Sequence, residues 1–400
     1  MACKHKYTLV RCKLNIKLFC KMRYTSMTMV QRQMANALRQ AVETIYAGGT
    51  TTSSATPEGY RVGGHALNLV GLLEEHFPDF KPHFKFGRKQ VALTGLSENM
   101  DASDWAIIDT KVASALERMV RGVLVTYGTD GMKQLAQHLR TKFLDTLQTT
   151  GQRLVLTGAN KGIEEPETDG WNNLMFGLES AGGSATPDVY VAFDGKLIRG
   201  DEVTRLPFVP GGRTTFVSVH DPLYKSSLEQ QQARSSDLIT KLTKTYDKQP
   251  NEASAIIYNV NIVRQDHQEL FDLLQTHKEV RAILLNLYHS ATANTEKPEQ
   301  SVTALVTKLR AEKGIVFFGV TDNGEYANLQ SDESAIKLKA AGVVPLYDMP
   351  KDVAFAKLKL LDADLTPVQR IDAMLTNKVG EIDETRIIKD DIQTLKSLYK

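Results

Sequence analysis

Two threonines stand just past short apolar, β-branched runs: Thr50, in Ile45-Tyr46-Ala47-Gly48-Gly49-Thr50, and Thr129, in Val123-Leu124-Val125-Thr126-Tyr127-Gly128-Thr129-Asp130. Glycine introduces each, which lets the backbone turn sharply and come close to a small ligand. In an open α/β sheet, ligands bind beyond the carboxyl ends of the strands. Two hydroxyls delivered to one rim, one of them followed by a carboxylate, point to nucleophilic chemistry on a small polar substrate. A threonine hydroxyl is a weak nucleophile until a neighbour accepts its proton or steadies the alkoxide. Asp130 with a cation can do this by relay, and Tyr60 can add a second hydroxyl. A threonine at a strand end is also a common helix cap, so spacing alone leaves both readings open.

Other chemistries find little support. No GxGxxG follows a strand, and there is no GxxxxGK[ST], HExxH or GxSxG. The nine histidines are scattered, with none paired at helical ligand spacing, so the reading calls for no metal and no cofactor. Cys3, Cys12 and Cys20 all lie in a basic leading segment, which argues against disulfides and cysteine catalysis in the remainder. Of 49 basic side chains nine fall within residues 1–42, where no acid occurs, leaving 40 against 47 acidic ones beyond. That mildly acidic remainder argues against a nucleic-acid partner. No apolar stretch approaches the roughly 20 residues needed to cross a bilayer, so no membrane role is expected. Residues 1–40 read as a disordered or processed extension: an organelle transit segment or a stretch upstream of the natural start.

The elements that must position Thr50 and Thr129 follow a βα alternation. Strands are expected at 43–47, 90–94, 122–127, 153–157 and 188–192, and helices at 64–76, 103–121, 130–148 and 169–180. The polar loop after Thr50 is a candidate lid. A Gln/Ser/Lys-rich stretch, 221–253, with one helical part, is read as a linker. A second series comes after it, with strands at 254–260, 281–287, 315–320 and 343–347, and helices near 265–277, 299–313, 332–341, 351–362 and 366–376. The expected fold is therefore two α/β domains. A larger one at 41–220 has a mostly parallel sheet with helices on both faces, and a smaller Rossmann-like one spans 254–400.

Set in order, the motifs resemble the bacterial-type L-asparaginase/glutaminase family, closer to its cytosolic type I than to the secreted type. Gly48-Gly49-Thr50 with Tyr60-Arg61-Val62-Gly63 is similar to the first signature, TGGT and a lid tyrosine. Tyr127-Gly128-Thr129-Asp130-Gly131-Met132 resembles the second, HGTDTM. Ser97-Glu98-Asn99-Met100 resembles the substrate-binding S-[QE]-[DN]-M segment. Thr157-Gly158-Ala159-Asn160 with Asp169-Gly170-Trp171-Asn172-Asn173-Leu174 is similar to TGAMR…ADGxxNL. Softer markers include Tyr347-Asp348-Met349-Pro350 and Ala356-Lys357-Leu358.

The resemblance implies hydrolysis of L-asparagine to L-aspartate and ammonia, with weaker glutaminase activity. Thr50 would attack the amide carbon, Tyr60 would close over the substrate, and Thr129 with Asp130 would form the second catalytic group. Ser97, Glu98 and Asp130 would hold the α-amino and α-carboxylate groups, Gly49 and Gly128 would line the site, and the Ala159 backbone would meet the amide end. It also implies a homodimer or homotetramer with the site near a subunit interface, completed by a GxGN-like turn of a second subunit, while the lack of a secretory signal and of cysteines beyond Cys20 makes the cytoplasm the expected location, with organelle import through residues 1–40 the alternative. The matching stretch here is Leu287-Tyr288-His289-Ser290-Ala291-Thr292, with no asparagine before Asn294.

Four positions depart from the pattern. Ala47 replaces the first Thr of TGGT, Tyr127 the His and Gly131 the Thr of HGTDT, and Arg205 stands where the family has a catalytic lysine after DVTK. Arginine keeps the charge, and a bidentate contact from it would hold Asp130 ionised, but it cannot yield a proton at working pH. The alternative is thus a catalytically impaired protein of the same fold that binds or senses an acidic amino acid or its amide. A third reading, the deamidating half of a tRNA-dependent amidotransferase, ranks last because the chain displays no obvious RNA-facing domain and its remainder is acidic.

Overall fold

Parallel strands rich in Val, Ile and Leu must be covered on both faces, and this chain does so twice. The computed structural model describes residues 40–56, 59–62, 68–206, 214–248, 250–251, 254–260, 266–321, 327, 329–330 and 332–400. The first part runs β1 (Ala41–Ala47), a hairpin of β2 (Ser53–Thr56) and β3 (Gly59–Val62), α1 (Leu69–His76), β4 (Lys85–Leu93), α2 (Ala102–Glu117) and β5 (Gly122–Thr126). It continues with α3 (Met132–Thr150), β6 (Arg153–Thr157), α4 (Gly170–Gly182), β7 (Val189–Phe193) and β8 (Lys196–Arg199). Six strands form one sheet ordered β4-β1-β5-β6-β7-β8, parallel except for β7 with β8. A separate antiparallel pair, β9 (Val203–Arg205) and β10 (Phe216–Ser218), comes next.

Helix α5 (Pro222–Tyr246) leads to a four-stranded parallel sheet of β11 (Ala255–Asn259), β12 (Ala282–Leu287), β13 (Val316–Thr321) and β14 (Val343–Pro345), in that order. Its helices are α6 (Gln268–Thr276), α7 (Val302–Lys313), α8 (Glu333–Ala341), α9 (Lys351–Leu360), α10 (Pro367–Leu375) and α11 (Lys389–Ser397).

Period-two alternation sends successive strand residues to opposite faces. Ile45, Val123, Val125 and Leu156 join Ile108, Val112, Leu135 and Leu139 of α2 and α3. Tyr46, Leu124 and Val155 face the other way, onto Leu69 and Leu73 of α1 and Leu174 and Leu178 of α4. The mixed α/β class and the helix cover on both faces are as the sequence implied.

The differences have local causes. β4 begins at Lys85, five residues before the expected start, because it is an edge strand whose first half carries the exposed Lys85, Arg88 and Lys89. The expected helix from 64 is described only from Leu69; residues 63–67 lie outside the described set. The polar stretch at 221–253 is mostly α5, capped by Asp221 with Pro222 in its first turn. Only Ser235, Leu238 and Leu242 of α5 are buried, too narrow a stripe to read as periodic, yet both leucines enter the second core. β8, β9, β10 and α11 lie outside the elements expected from sequence. They are short, and in α11 only Ile392 and Leu395 are buried. Among the described residues, no helix is long and apolar enough to cross a membrane.

The Ala356-Lys357-Leu358 marker has a structural explanation. Lys357 on α9 is fully buried, and its Nζ donates to Glu381 Oε1 at 2.6 Å, Thr376 O at 2.6 Å and Met374 O at 3.0 Å. Glu381 also accepts from the backbone N–H groups of Lys378 and Val379, so the end of α10 and the turn after it are tied to α9. Removing one partner strands a buried charge. Lys357→Met is expected to cost about 3–5 kcal/mol, and the double variant Lys357→Met/Glu381→Gln distinctly less. Urea unfolding of the three proteins checks this; equal losses in both variants would show that the pair is not coupled.

Candidate active site

The carboxyl ends of β1, β4, β5 and β6 form one rim. The ladder aligns Ala47 with Leu93, Tyr46 with Thr126, and Thr126 with Thr157, so the turns after these strands start level. Beyond β1 the backbone makes a very close approach to its neighbour. Gly49 has φ +88°, and a Cβ there would lie 2.4 Å from the Gly128 nitrogen. Its N–H donates to Gly95 O at 3.2 Å. Only glycine tolerates both the left-handed φ and that contact. The next residue, Thr50, opens a 3-10 turn and is half-buried, whereas Thr51 and Thr52 are buried and Thr52 Oγ1 bonds back to Gly49 O at 3.0 Å. Thr50 is thus the accessible hydroxyl of its turn. Tyr60 lies on β3, paired with Ala55. The loop read as a candidate lid is therefore a hairpin.

Thr129 and Asp130 follow the Gly128 contact and lead into α3, both nearly buried. Ser97 and Glu98 lie on a 3-10 turn after β4. Ser97 Oγ accepts from the Gly131 N–H at 3.2 Å, which docks that turn on the start of α3. After β6, Asp169 holds the loop carrying Ala159, accepting from the N–H groups of Asn160 at 2.9 Å and Lys161 at 3.1 Å. Asn173 Nδ2 donates to Gly158 O at 3.0 Å. The Asp-Gly-x-x-Asn motif is accordingly a clamp on this loop.

Arg205, on β9, is buried. Its guanidinium donates to the Thr129 carbonyl, lies 3.9 Å from Asp130 Oδ1 through Nη1, and sits 5.2 Å from the Phe216 ring centroid. It thus meets Asp130 through one nitrogen, not by the bidentate contact expected from sequence. The guanidinium contributes a fixed charge, stacked on an aromatic face.

Sequence reasoning missed the donors from the second sheet. Thr292 Oγ1 donates to Asp130 Oδ2 at 2.7 Å, and the Ser290 N–H reaches Oδ1 at 3.5 Å. His289 Nδ1 lies 2.5 Å from Oδ1 without hydrogen-bond alignment. Ser334 Oγ donates to Glu98 Oε1 at 2.8 Å. Asn294, the asparagine this turn does carry, bonds Asn99 O at 3.3 Å. Residues so distant in sequence leave no local signal.

Burial dominates the electrostatics. It pushes the Glu98 carboxyl well above its usual range, with repulsion from Asp130 and Asp332 adding to it. Burial raises Asp130 as well, against the pull of Arg205 and the bonds donated by Thr292 and Ser290. No group of three or more His, Cys, Asp or Glu suited to a metal occurs among the described residues.

Threonine-bearing turns beside buried carboxylates on a parallel-sheet rim are chemically suited to nucleophilic attack on a small polar substrate. Residues 41–234 match the family model described as Asparaginase, N-terminal, so that part of the chain is of the asparaginase family. It is 25% identical over 373 residues to the D subunit of glutamyl-tRNA(Gln) amidotransferase from Saccharolobus solfataricus, spanning 88% of this chain and 78% of that protein. The Methanococcus maripaludis counterpart of that protein is 25% identical over 305 residues, 74% of this chain and 70% of that one. Among solved structures, the thermostable L-asparaginase of Thermococcus kodakarensis is similar at 19% identity, covering 86% of this chain and 99% of that one with a TM-score of 0.36. L-asparaginase I of Vibrio cholerae is similar at 19% identity with the same coverages and a TM-score of 0.39.

Two departures from the family pattern prove to be one. Gly131 has φ −90°, which any residue can adopt, so its glycine serves space. A Cβ there would meet the Tyr127 ring at 2.8 Å and its hydroxyl at 3.2 Å. Tyr127 is fully buried, and its hydroxyl accepts from Trp105 Nε1 at 3.0 Å. The larger residue at 127 is accommodated by the smaller one at 131. Gly131→Thr alone is expected to cost about 1–3 kcal/mol by overpacking. Adding Tyr127→His should recover much of the loss, giving a coupling of about 0.5–3 kcal/mol in denaturant unfolding. Additive losses would separate the two positions.

The raised pKa of Glu98 also has a stability consequence. Folded Glu98 holds its proton more tightly than the unfolded chain does, so its contribution favours folding below the unfolded pKa. That contribution is lost as pH rises through the raised value. Glu98→Gln should therefore leave Tm almost unchanged near pH 4 and raise it by about 2–4 °C near pH 8. A lower Tm near pH 8 would show that the ionised carboxylate is fully compensated.

Proposed function

We propose that this protein is an L-asparagine amidohydrolase that forms L-aspartate and ammonia through a threonine acyl-enzyme, turning over L-glutamine more slowly. The observation that carries the reading is the Gly49–Gly128 approach, which launches Thr50 and Thr129 from adjoining turns beside Glu98 and Asp130. In this reading the Thr50 hydroxyl adds to the side-chain amide carbon and gives up its proton. The C–N bond breaks, ammonia leaves carrying that proton, and the substrate remains as an ester on Thr50. Water guided by Thr129 then adds to the ester carbon, releasing L-aspartate and restoring the hydroxyl. Tyr60 closes the site from the hairpin.

Glu98 and Asp130 suit an α-ammonium, while Ser97 and backbone N–H groups around Gly49 and Gly128 suit the α-carboxylate. The Ala159 backbone serves the amide end. Arg205 opposes the burial of Asp130 as a fixed positive charge. The reading needs no metal or cofactor, and places the protein in the cytoplasm as a homodimer or homotetramer acting in asparagine catabolism.

Two specific observations favour other readings. The relatives from Saccharolobus and Methanococcus are amidotransferase subunits, which favours glutamine as the amide donor within a larger assembly. Arg205 in place of lysine favours a weakly catalytic binder. The experiment is coupled measurement of ammonia from L-asparagine and L-glutamine. Thr50→Ala and Thr129→Ala should each lower kcat by at least about a thousandfold, roughly 4 kcal/mol of barrier, with Tm little changed. Arg205→Met should lower kcat at least about tenfold, and Arg205→Lys should change it less. A large gain on Arg205→Lys would identify an impaired enzyme, a preference for glutamine would move the conclusion to that amide, and no ammonia from either would reject the reading.

A further inference from the structure

The turn of Ser97 and Glu98 and the turn of Thr129 and Asp130 follow different strands, so contacts between them must hold their spacing. One contact lies at the rim, where Ser97 Oγ accepts from the Gly131 N–H at 3.2 Å. A Cβ on Gly128 would lie 2.3 Å from the same Oγ, so the two turns press together there. One point of attachment sets a distance and leaves a hinge. A second joins Trp105 to the fully buried Tyr127: the indole Nε1 donates to the tyrosine hydroxyl at 3.0 Å.

Both ends of this second contact start from fixed backbone. The Ser97–Asn99 turn closes through the Met100 N–H to Ser97 O at 3.3 Å and runs into α2. That helix opens on a capping box: Asp101 Oδ1 accepts from the N–H groups of Ser103 at 2.7 Å and Asp104 at 3.1 Å, and Asp104 Oδ2 accepts from the Asp101 N–H at 2.9 Å. Trp105 comes next. The His138 ring of α3 lies 5.0 Å from its indole, and His138 Nε2 faces both Asp109 oxygens at 3.0 Å. Lys142 Nζ donates to the same carboxylate at 2.6 Å, so α2 and α3 are stitched together around the half-buried indole. Such support locks a side chain into one orientation. At the other end, the Tyr127 N–H donates to Thr157 O at 2.8 Å, and the next residues are Gly128, Thr129 and Asp130.

We propose that Trp105 is a positioning residue of the candidate site. Its bond to Tyr127 and the bond from Gly131 to Ser97 form a two-point brace that sets Thr129 and Asp130 against Ser97 and Glu98. Tyr127, one of the departures from the family pattern, supplies the hydroxyl on which the brace depends. What the braced site does rests on the proposed function.

Trp105→Phe and Tyr127→Phe each remove the bond and keep an aromatic ring. Each should raise KM for the preferred amide about three- to tenfold. Loss of folded protein alone would lower the apparent kcat and leave KM where it was, so KM separates positioning from stability. The double variant should be no worse than either single one, because all three lose the same bond. An unchanged KM, or losses that multiply, would overturn the proposal.

Amide hydrogen exchange read by mass spectrometry needs no activity. In Trp105→Phe, residues 127–132 should exchange at least about threefold faster while Val189–Phe193 on β7 keeps its rate. No acceleration at 127–132, or equal acceleration in both segments, would also overturn the brace. A wild-type chain that releases no ammonia from either amide would instead reject the hydrolase reading, and exchange alone would then decide whether Trp105 holds the turn.

Discussion

Two carboxyl groups, Glu98 and Asp130, are buried close enough for the charge of one to raise the pKa of the other. Desolvation penalises each, and their mutual repulsion adds to it. Such a pair persists only if donors are delivered to it. The surroundings are explicable as that delivery: Arg205 from β9, Ser290 and Thr292 from the turn after β12, and Ser334 from α8. The second sheet is thus part of the electrostatic environment of the rim. A cationic group of a ligand would relieve the same repulsion, which is why a site costly to build empty suits an ammonium.

Close backbone approach does the positioning. At the strand ends Gly48, Gly49 and Gly128 lack the side chains that would hold the turns apart. Docking of Ser97 on the Gly131 N–H and clamping of the Ala159 loop by Asp169 extend this rigidity to the neighbouring turns. The hydroxyl-bearing residues consequently sit on short turns between packed strands and helices, where preorganisation costs least.

How much of this the sequence discloses depends on range. Glycine after an apolar run is a local signal, so the turns carrying Thr50 and Thr129 were legible from composition. The βα alternation was legible too, because strands such as Gly122–Thr126 and Ala282–Leu287 are wholly buried and read as continuous apolar runs. β4 was only half legible, since an edge strand need not be apolar along its length. The partners of Asp130 and Glu98 were not legible: Thr292 and Ser334 lie 162 and 236 residues away, and a serine or threonine in a loop carries no mark of its target. The Tyr127–Gly131 compensation lay in plain sight as two odd letters, but a shared volume cannot be read from letters four apart.

Arg205 is where these constraints meet. Its guanidinium is held by the Thr129 carbonyl on one side and the Phe216 ring on the other, leaving a 3.9 Å approach to Asp130. A lysine ammonium is a compact charge that a buried site can deprotonate, whereas a stacked guanidinium stays charged throughout. The proton lost by an attacking hydroxyl cannot come to rest on Arg205. It must pass to an oxygen acceptor or directly to the departing amine. Asp130 already accepts from Ser290 and Thr292 with the Arg205 charge beside it, which weakens it as a base while holding it in place. In the proposed reaction the leaving ammonia would be the stronger base of the two, so proton transfer to the departing nitrogen would be favoured, with the Arg205 charge keeping the neighbouring carboxylate from competing.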